Sequence, residues 1–292
     1  MFDYLAITYF FDEHQRVFYG YFLLAIVIAF LFFREALKKQ LSAEVLLHRS
    51  AKLDYVYFLI MGVIKVMLIV PLIIGVNKVT FWFMLKLELI FGHMSVINIS
   101  WEMLMLSYTI TLFIVSDLSR YWLHRLLHAV PLLWRFHKVH HSAEVLTPIT
   151  FYRVHPLENI LFGLRYALVT GFVTALFIYL FGAGVKAIDF LGVNILVFAF
   201  SIVGSNLRHS HIPFSYPKGV EKWFVSPYQH QLHHSTKYLH RNFGSFLAVW
   251  DRLFGTLVTG KKKNIVFGLP NEQVNHSILG AFLNPIFKGV KL

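Results

Sequence analysis

The feature that most restricts this chain is a set of histidines at helical spacing. His124 and His128 stand four residues apart, and His137, His140 and His141 form an H-x-x-H-H pattern. His230, His233 and His234 repeat that pattern much later in the chain. Residues three and four apart share a helix face, so each group presents its rings together. Burying an imidazole is costly unless its nitrogens are satisfied. Eight rings in tight groups repel one another when protonated and are stabilised together when neutral and metal-bound. The fold is therefore expected to bring distant segments to one place.

The donor set narrows the metal. The chain has no cysteine, which excludes disulfides, thiolate-ligated zinc, iron–sulfur clusters and thiol nucleophiles. Arg125, Leu126 and Leu127 fill the His124–His128 interval, so the H-E-x-x-H zinc peptidase pattern is absent. A structural zinc takes four ligands, usually with thiolates. Eight or more imidazoles suit two iron ions with room left for O2. Among the other histidines, His155, His209 and His211 lie between the triplets. His155 reads equally as a packing residue or a ligand. His240 reads as an interfacial or bracing residue, and His14, His48, His93 and His276 as surface or packing residues. Ligating imidazoles usually give their second N–H to a carboxylate or carbonyl, which singles out Asp117, Glu158 and Asp251. Asp117 precedes His124 by two helical turns, so it either reaches one of these rings or pairs with Arg120 or Arg125. Trp250-Asp251-Arg252 reads as a contact that closes the fold, and its Asp as a brace for the cage.

What surrounds such a centre follows from hydropathy. Only 14% of residues are charged, 57% are hydrophobic, and the mean hydropathy is +0.60. A soluble domain carries about 25% charged residues, so a bilayer is expected to be part of the solvent. The net charge of +12 lies mostly between apolar stretches, where it marks cytoplasmic segments beside anionic lipid. No nucleic-acid-binding motif is visible, and Met1–Arg16 lacks a basic leader region, so the first span is expected to be retained. Expected spans are Val17–Phe33, Asp54–Ile74 with Lys65 facing protein or water, Met103–Val115, Ile160–Phe181 and Ile188–Val203. Phe81–Ile99, interrupted by Lys86, Glu88 and His93, reads as interfacial or re-entrant. The fold class expected is all-α: a single integral membrane bundle of four or five transmembrane helices, with a cytoplasmic helical cap carrying the di-metal site. N-terminal spans occupy 17–100, a catalytic region 105–258 and a basic tail 259–292, in which Lys261, Lys262 and Lys263 look mobile.

The histidine patterns resemble those of the fatty acid hydroxylase / sterol desaturase superfamily of membrane di-iron enzymes. So do Arg153-Val154-His155-Pro156-Leu157-Glu158, an R-x-H-P-x-E segment, and Asn242-Phe243-Gly244 followed by Trp250-Asp251-Arg252-Leu253-Phe254-Gly255-Thr256. The resemblance covers residues 105–258. It implies that His124, His128, His137, His140, His141, His230, His233 and His234 bind metal, that His209 joins them, and that His155 and His211 are further candidates. It also implies an O2-dependent enzyme that hydroxylates or desaturates a lipid C–H bond. No cytochrome-like segment, dinucleotide loop or cysteine is present, so electrons are expected from a separate ferredoxin or cytochrome with its reductase. Two rivals are a divalent-metal transporter, which would place ligands and carboxylates at mid-membrane, and a haem-binding membrane cytochrome, for which the triplets are too dense.

Overall fold

The computed structural model describes residues 6–70, 75–182, 184–260, 265–269 and 276–287. These residues are mainly helical: α1 (Tyr19–Phe32), α2 (Arg34–Gln40), α3 (Ala43–Leu46), α4 (Arg49–Ile64), α5 (Val76–Phe91), α6 (Trp101–Ala129), α7 (Pro131–His141), α8 (Pro156–Phe181), α9 (Ile195–Ile202), α10 (Pro227–His233), α11 (Val249–Leu253) and α12 (Ile278–Leu283). A small antiparallel hairpin, Asp189–Phe190 with Val193–Asn194, is the one sheet among them.

Two helices set the frame. α6 begins where the Ser100 hydroxyl accepts the Met103 N–H, and runs 29 residues without Gly or Pro. α8 opens on Pro156 at its first turn and stops at Gly182, whose φ of +86° a side chain would strain. At 1.5 Å per residue they extend about 40 Å, enough to cross a hydrocarbon core of about 30 Å. Among the described residues they alone combine that length with that hydropathy. α5 lies along α8, and there the backbones come close. A Cβ on Gly171 would stand 2.6 Å from Val79 Cγ1 and 3.1 Å from the Thr80 nitrogen. Large apolar side chains on α1, α5 and α6, among them Leu23, Val27, Phe30, Phe81, Leu89, Leu106 and Ile110, are exposed.

Two expected spans and one expected interfacial or re-entrant segment are corrected. The helix within Val17–Phe33 is the 14-residue α1, about 21 Å long and short of a full core. Phe81–Ile99 is not one element: α5 ends at Gly92, and an extended segment then docks on α8 through Ile97 N–H to the Leu180 carbonyl at 2.8 Å. Ile188–Val203 contains the hairpin, turned through Leu191 and Gly192 at positive φ, and then the eight-residue α9 capped by Asn194. Turn residues at positive φ and an Asn cap outweigh the apolar run. Asp54–Ile74 is represented by α4 and a π-turn over Lys65–Ile69, and Ile74 lies outside the described residues, as do Lys261, Lys262 and Lys263.

Part of the expected tail belongs to the core. Leu269 and Ala281 pack with Tyr57, Met61 and Val139, and Phe282 stacks on Tyr57.

Candidate metal centre

Four segments deliver the histidines. α6 carries His124 and His128 in its final turns. α7 starts on Pro131, where a missing N–H is harmless, and ends in His137, His140 and His141. The 3-10 turn Ser205–His209 supplies His209. α10 opens with a reciprocal cap, Ser226 hydroxyl to Gln229 N–H and Gln229 Oε1 to Ser226 N–H, so that His230, His233 and His234 fall one turn later.

The rings sort into two groups. His124, His128, His137, His141 and His233 each place a nitrogen within 4.8 Å of the others, and His140, His209, His230 and His234 do the same. The two triplets are divided between the groups, and helix geometry explains how. Four residues advance a helix by about 400° and three by about 300°. His137 and His141 therefore look one way and His140 another, while His230 and His234 separate from His233 in the same manner.

Outer partners fix the tautomers. His124 Nδ1 donates to the Phe243 carbonyl at 2.9 Å, His137 Nδ1 to Glu158 Oε1 at 2.9 Å and His233 Nδ1 to the Arg241 carbonyl at 2.7 Å. His140 Nδ1 points at the Arg153 carbonyl at 3.3 Å. Each leaves an Nε2 lone pair facing inward. His209 Nε2 then stands 3.1 Å from His234 Nε2, 3.2 Å from His230 Nε2 and 3.4 Å from His140 Nε2. His137 and His141 Nε2 are 3.1 Å apart. Lone pairs so close repel unless a cation lies among them. Two nitrogens bound at right to tetrahedral angles to one ion, with bonds of about 2.1 Å, would stand about 3.0–3.4 Å apart. Both nitrogens of His128 and Nε2 of His233 are buried with no hydrogen-bond partner among the described residues. The donor set fits metal.

Burial also keeps the rings in their ligating form. It pushes His137 down to about 3, and burial reinforced by His137 does the same to His140. Burial and then neighbouring imidazoles drive His141, His230 and His234 well below the ordinary range. Neutral imidazole is the metal ligand.

Support comes from two buried networks. Asp251 accepts the Phe243 and Gly244 N–H groups at 2.8 Å each and the Thr256 hydroxyl at 2.6 Å. It thereby aims the Phe243 carbonyl at His124. A Cβ on Gly244 would meet the Leu247 carbonyl at 2.7 Å, and Asn242 occupies the left-handed region at φ +55°, which Asn tolerates. The second network was not anticipated. Arg153, wholly buried, pairs with Asp54 and donates to Ser50 and Ser142. It joins α4 to the end of α7 and holds the carbonyl that faces His140. A buried arginine inside R-x-H-P required a carboxylate, and Asp54, opening an apolar run, was the available signal.

Several expected roles change. Asp117 touches no imidazole: it accepts the Phe246 and Leu247 N–H groups at 3.0 Å and Trp250 Nε1 at 2.9 Å. Seven residues of helix rise about 10 Å, so sharing a face with His124 does not bring contact. His155 caps α8, its Nδ1 accepting the Leu157 N–H while Nε2 donates to the Phe282 carbonyl. His211 Nε2 accepts the Leu146 N–H at 3.2 Å. Neither is in a nitrogen group. His240 is exposed and packs edge-on against His128. His276 pairs with Glu144, and His48 caps α4. A cavity of about 280 Å³ opens on both groups, touching His124, His137, His140, His209 and His230.

Comparison with known proteins points the same way. The model of the fatty acid hydroxylase family matches residues 109–256. An alkylglycerol monooxygenase of Xenopus tropicalis is 25% identical over 57% of this chain and 36% of its own length. A lathosterol oxidase of Mus musculus is 28% identical over 53% of the chain and 46% of its own. An ornithine lipid hydroxylase of Rhizobium tropici is 30% identical over 49% and 39% respectively. The chain thus spans less than half the length of these relatives. No solved structure matches it.

Proposed function

The chain belongs to the fatty acid hydroxylase family, and from that premise we propose that it is a membrane di-iron oxygenase that hydroxylates or desaturates a lipid C–H bond. One observation carries the reading: nine imidazoles from four segments converge as groups of five and four, with no carboxylate in either among the described residues. In this reading His124, His128, His137, His141 and His233 hold one iron, and His140, His209, His230 and His234 the other. A bound pair of irons would supply O2 reduction and abstraction of hydrogen from an unactivated carbon.

The protein's part is positioning. Glu158 and the carbonyls of Phe243, Arg241 and Arg153 hold imidazole protons at Nδ1, so Nε2 is presented without reorganisation. Phe58, Met61, Phe151 and Phe162 give the cavity an apolar wall that excludes water and accepts an acyl chain or ring system. The exposed apolar faces of α1, α5 and α6 lie in lipid, with α6 and α8 crossing in a multi-pass bundle and the centre at the cytoplasmic face. Electrons arrive from a separate ferredoxin or cytochrome with its reductase.

Metal analysis with an optical spectrum tests this directly. Two irons per chain and no Soret band are expected. A Soret band would assign haem, and metal flux in liposomes without turnover would assign transport. Lipid analysis of cells with and without the gene should then show a product gaining one oxygen or losing two hydrogens.

A further inference from the structure

The cavity beside the imidazoles has a second chemical character. Its charged lining is Arg16, Lys65, Arg120 and Arg208 against Glu158 alone, and Glu158 Oε1 is taken by His137. Three arginines arrive from separate segments: Arg16 from the N-terminal stretch before α1, Arg120 from α6 and Arg208 from the turn ending in His209. Among the described residues, Arg16 and Arg120 make no ion pair or hydrogen bond through their side chains. Their guanidiniums rest on the Phe151 ring at 4.3 Å and the Phe162 ring at 5.8 Å. Arg208 is 2% exposed, its Nε has no partner, and its one hydrogen bond is a long 3.4 Å contact to the Val225 carbonyl. Burial lowers Arg16 well below the ordinary guanidinium range, and Arg208 and Arg120 lower it further, as like charges held close must. Asp117 lies nearby but is committed to the Phe246, Leu247 and Trp250 N–H groups.

Arg208 is buried and Arg16 and Arg120 are half-buried, with Asp117 near but, among the described residues, no carboxylate paired to any of the three. Holding unpaired cations away from water is costly, and guanidinium forks match the geometry of oxyanions. We propose, building on the lipid oxygenase reading, that Arg16, Arg120 and Arg208 form a docking site for the oxyanion of an anionic lipid, a phosphate or carboxylate. Because these arginines share one small cavity with His124, His137 and His209, the carbon that reacts lies a few bonds from that anionic group and not at the far end of the tail. The apolar wall beside the arginines favours an acyl-linked anion over a free one. The site therefore selects among lipid classes by charge. Lys65, 5.0 Å above the Tyr9 ring, adds positive potential to the same cavity.

The full chain in dodecyl maltoside can be titrated with 1-oleoyl lysophosphatidic acid, oleate, monoolein and inorganic phosphate. The two anionic acyl probes should bind roughly tenfold or more tightly than monoolein, with inorganic phosphate much weaker. Arg16→Gln with Arg120→Gln should bind the three acyl probes alike and, without ligand, melt no lower than the parent, since it removes uncompensated charge. Arg16→Lys with Arg120→Lys should keep most of the preference. Equal affinity for monoolein in the parent, a preference that survives the double Gln variant, or inorganic phosphate binding as tightly as the acyl probes would overturn the proposal. Iron content measured alongside separates the two readings: a preference for anionic probes in a chain that takes up no iron would sink the oxygenase and uphold the anion site.

Discussion

The two imidazole groups are built differently. In the group of five, three rings are oriented from outside, by Phe243, Arg241 and Glu158. In the group of four, among the described residues, only His140 has such a partner, the Arg153 carbonyl, and the remaining polar contacts join ring to ring at 3.1–3.4 Å. One group is held in shape by its scaffold and the other by mutual contacts between its rings. On the di-iron reading proposed above, the first would have a ligand to spare and the second would depend more on the ion itself. Two metals in one protein would thus differ in how firmly their sites are organised beforehand.

Removing one ligand from each group should expose that difference most strongly. His209→Ala leaves three imidazoles in the less supported group, and metal content should fall from two per chain to about one, with turnover falling at least about a hundredfold. His128→Ala leaves four in the braced group and should retain more metal. Equal losses in the two variants, read by elemental analysis on chains of unchanged helicity, would erase the contrast. The next largest effect belongs to the scaffold. Asp54→Asn strands buried Arg153 without its partner, and breaking a buried pair costs about 3–5 kcal/mol. The drop in stability should come with preferential loss of the metal near His140, whose Nδ1 faces the Arg153 carbonyl.

Glu158→Ala probes the braced group from outside. Outer partners of metal-bound histidine are worth about 10–100-fold in metal affinity, so the ion held with His137 should weaken by that factor. The group of four should weaken less, because Glu158 Oε1 bonds His137 and acts on His140 only through space. A chelator titration resolving two release steps would show this as a larger shift in one step. An equal shift in both would mean the groups are coupled more tightly than their separate partners suggest.

How much of this was legible beforehand follows from what a helix fixes locally. The spacing of His137, His140 and His141 predicts that a helix end carries all three rings, and α7 does end in them, with His140 turned away from the other two. The sorting of each triplet between two nitrogen groups was not read, although it follows from the angle between third and fourth neighbours once a partner element is in place. Phe243, Arg241 and Arg153 could not be found as brackets for imidazoles, because the acceptors are backbone carbonyls, which every residue has. Asp117 misled because a shared face was taken for contact while the axial rise was left out. The apolar run Ile188–Val203 misled because composition outweighed two local signals, Gly192 and Asn194, that turn and restart the chain.

The smallest effect belongs to the histidines outside both groups, and it sharpens the comparison by setting its boundary. His155 spends Nδ1 on the Leu157 N–H and Nε2 on the Phe282 carbonyl, so it has no lone pair for an ion. His155→Ala removes a helix cap, worth about 1 kcal/mol, and loosens α12 on α8. The melting temperature should therefore fall slightly while both metals stay. His211→Ala should behave alike, since its Nε2 accepts the Leu146 N–H. Loss of either metal from one of these variants would show that the centre extends past nine rings, and that the division into five and four is incomplete.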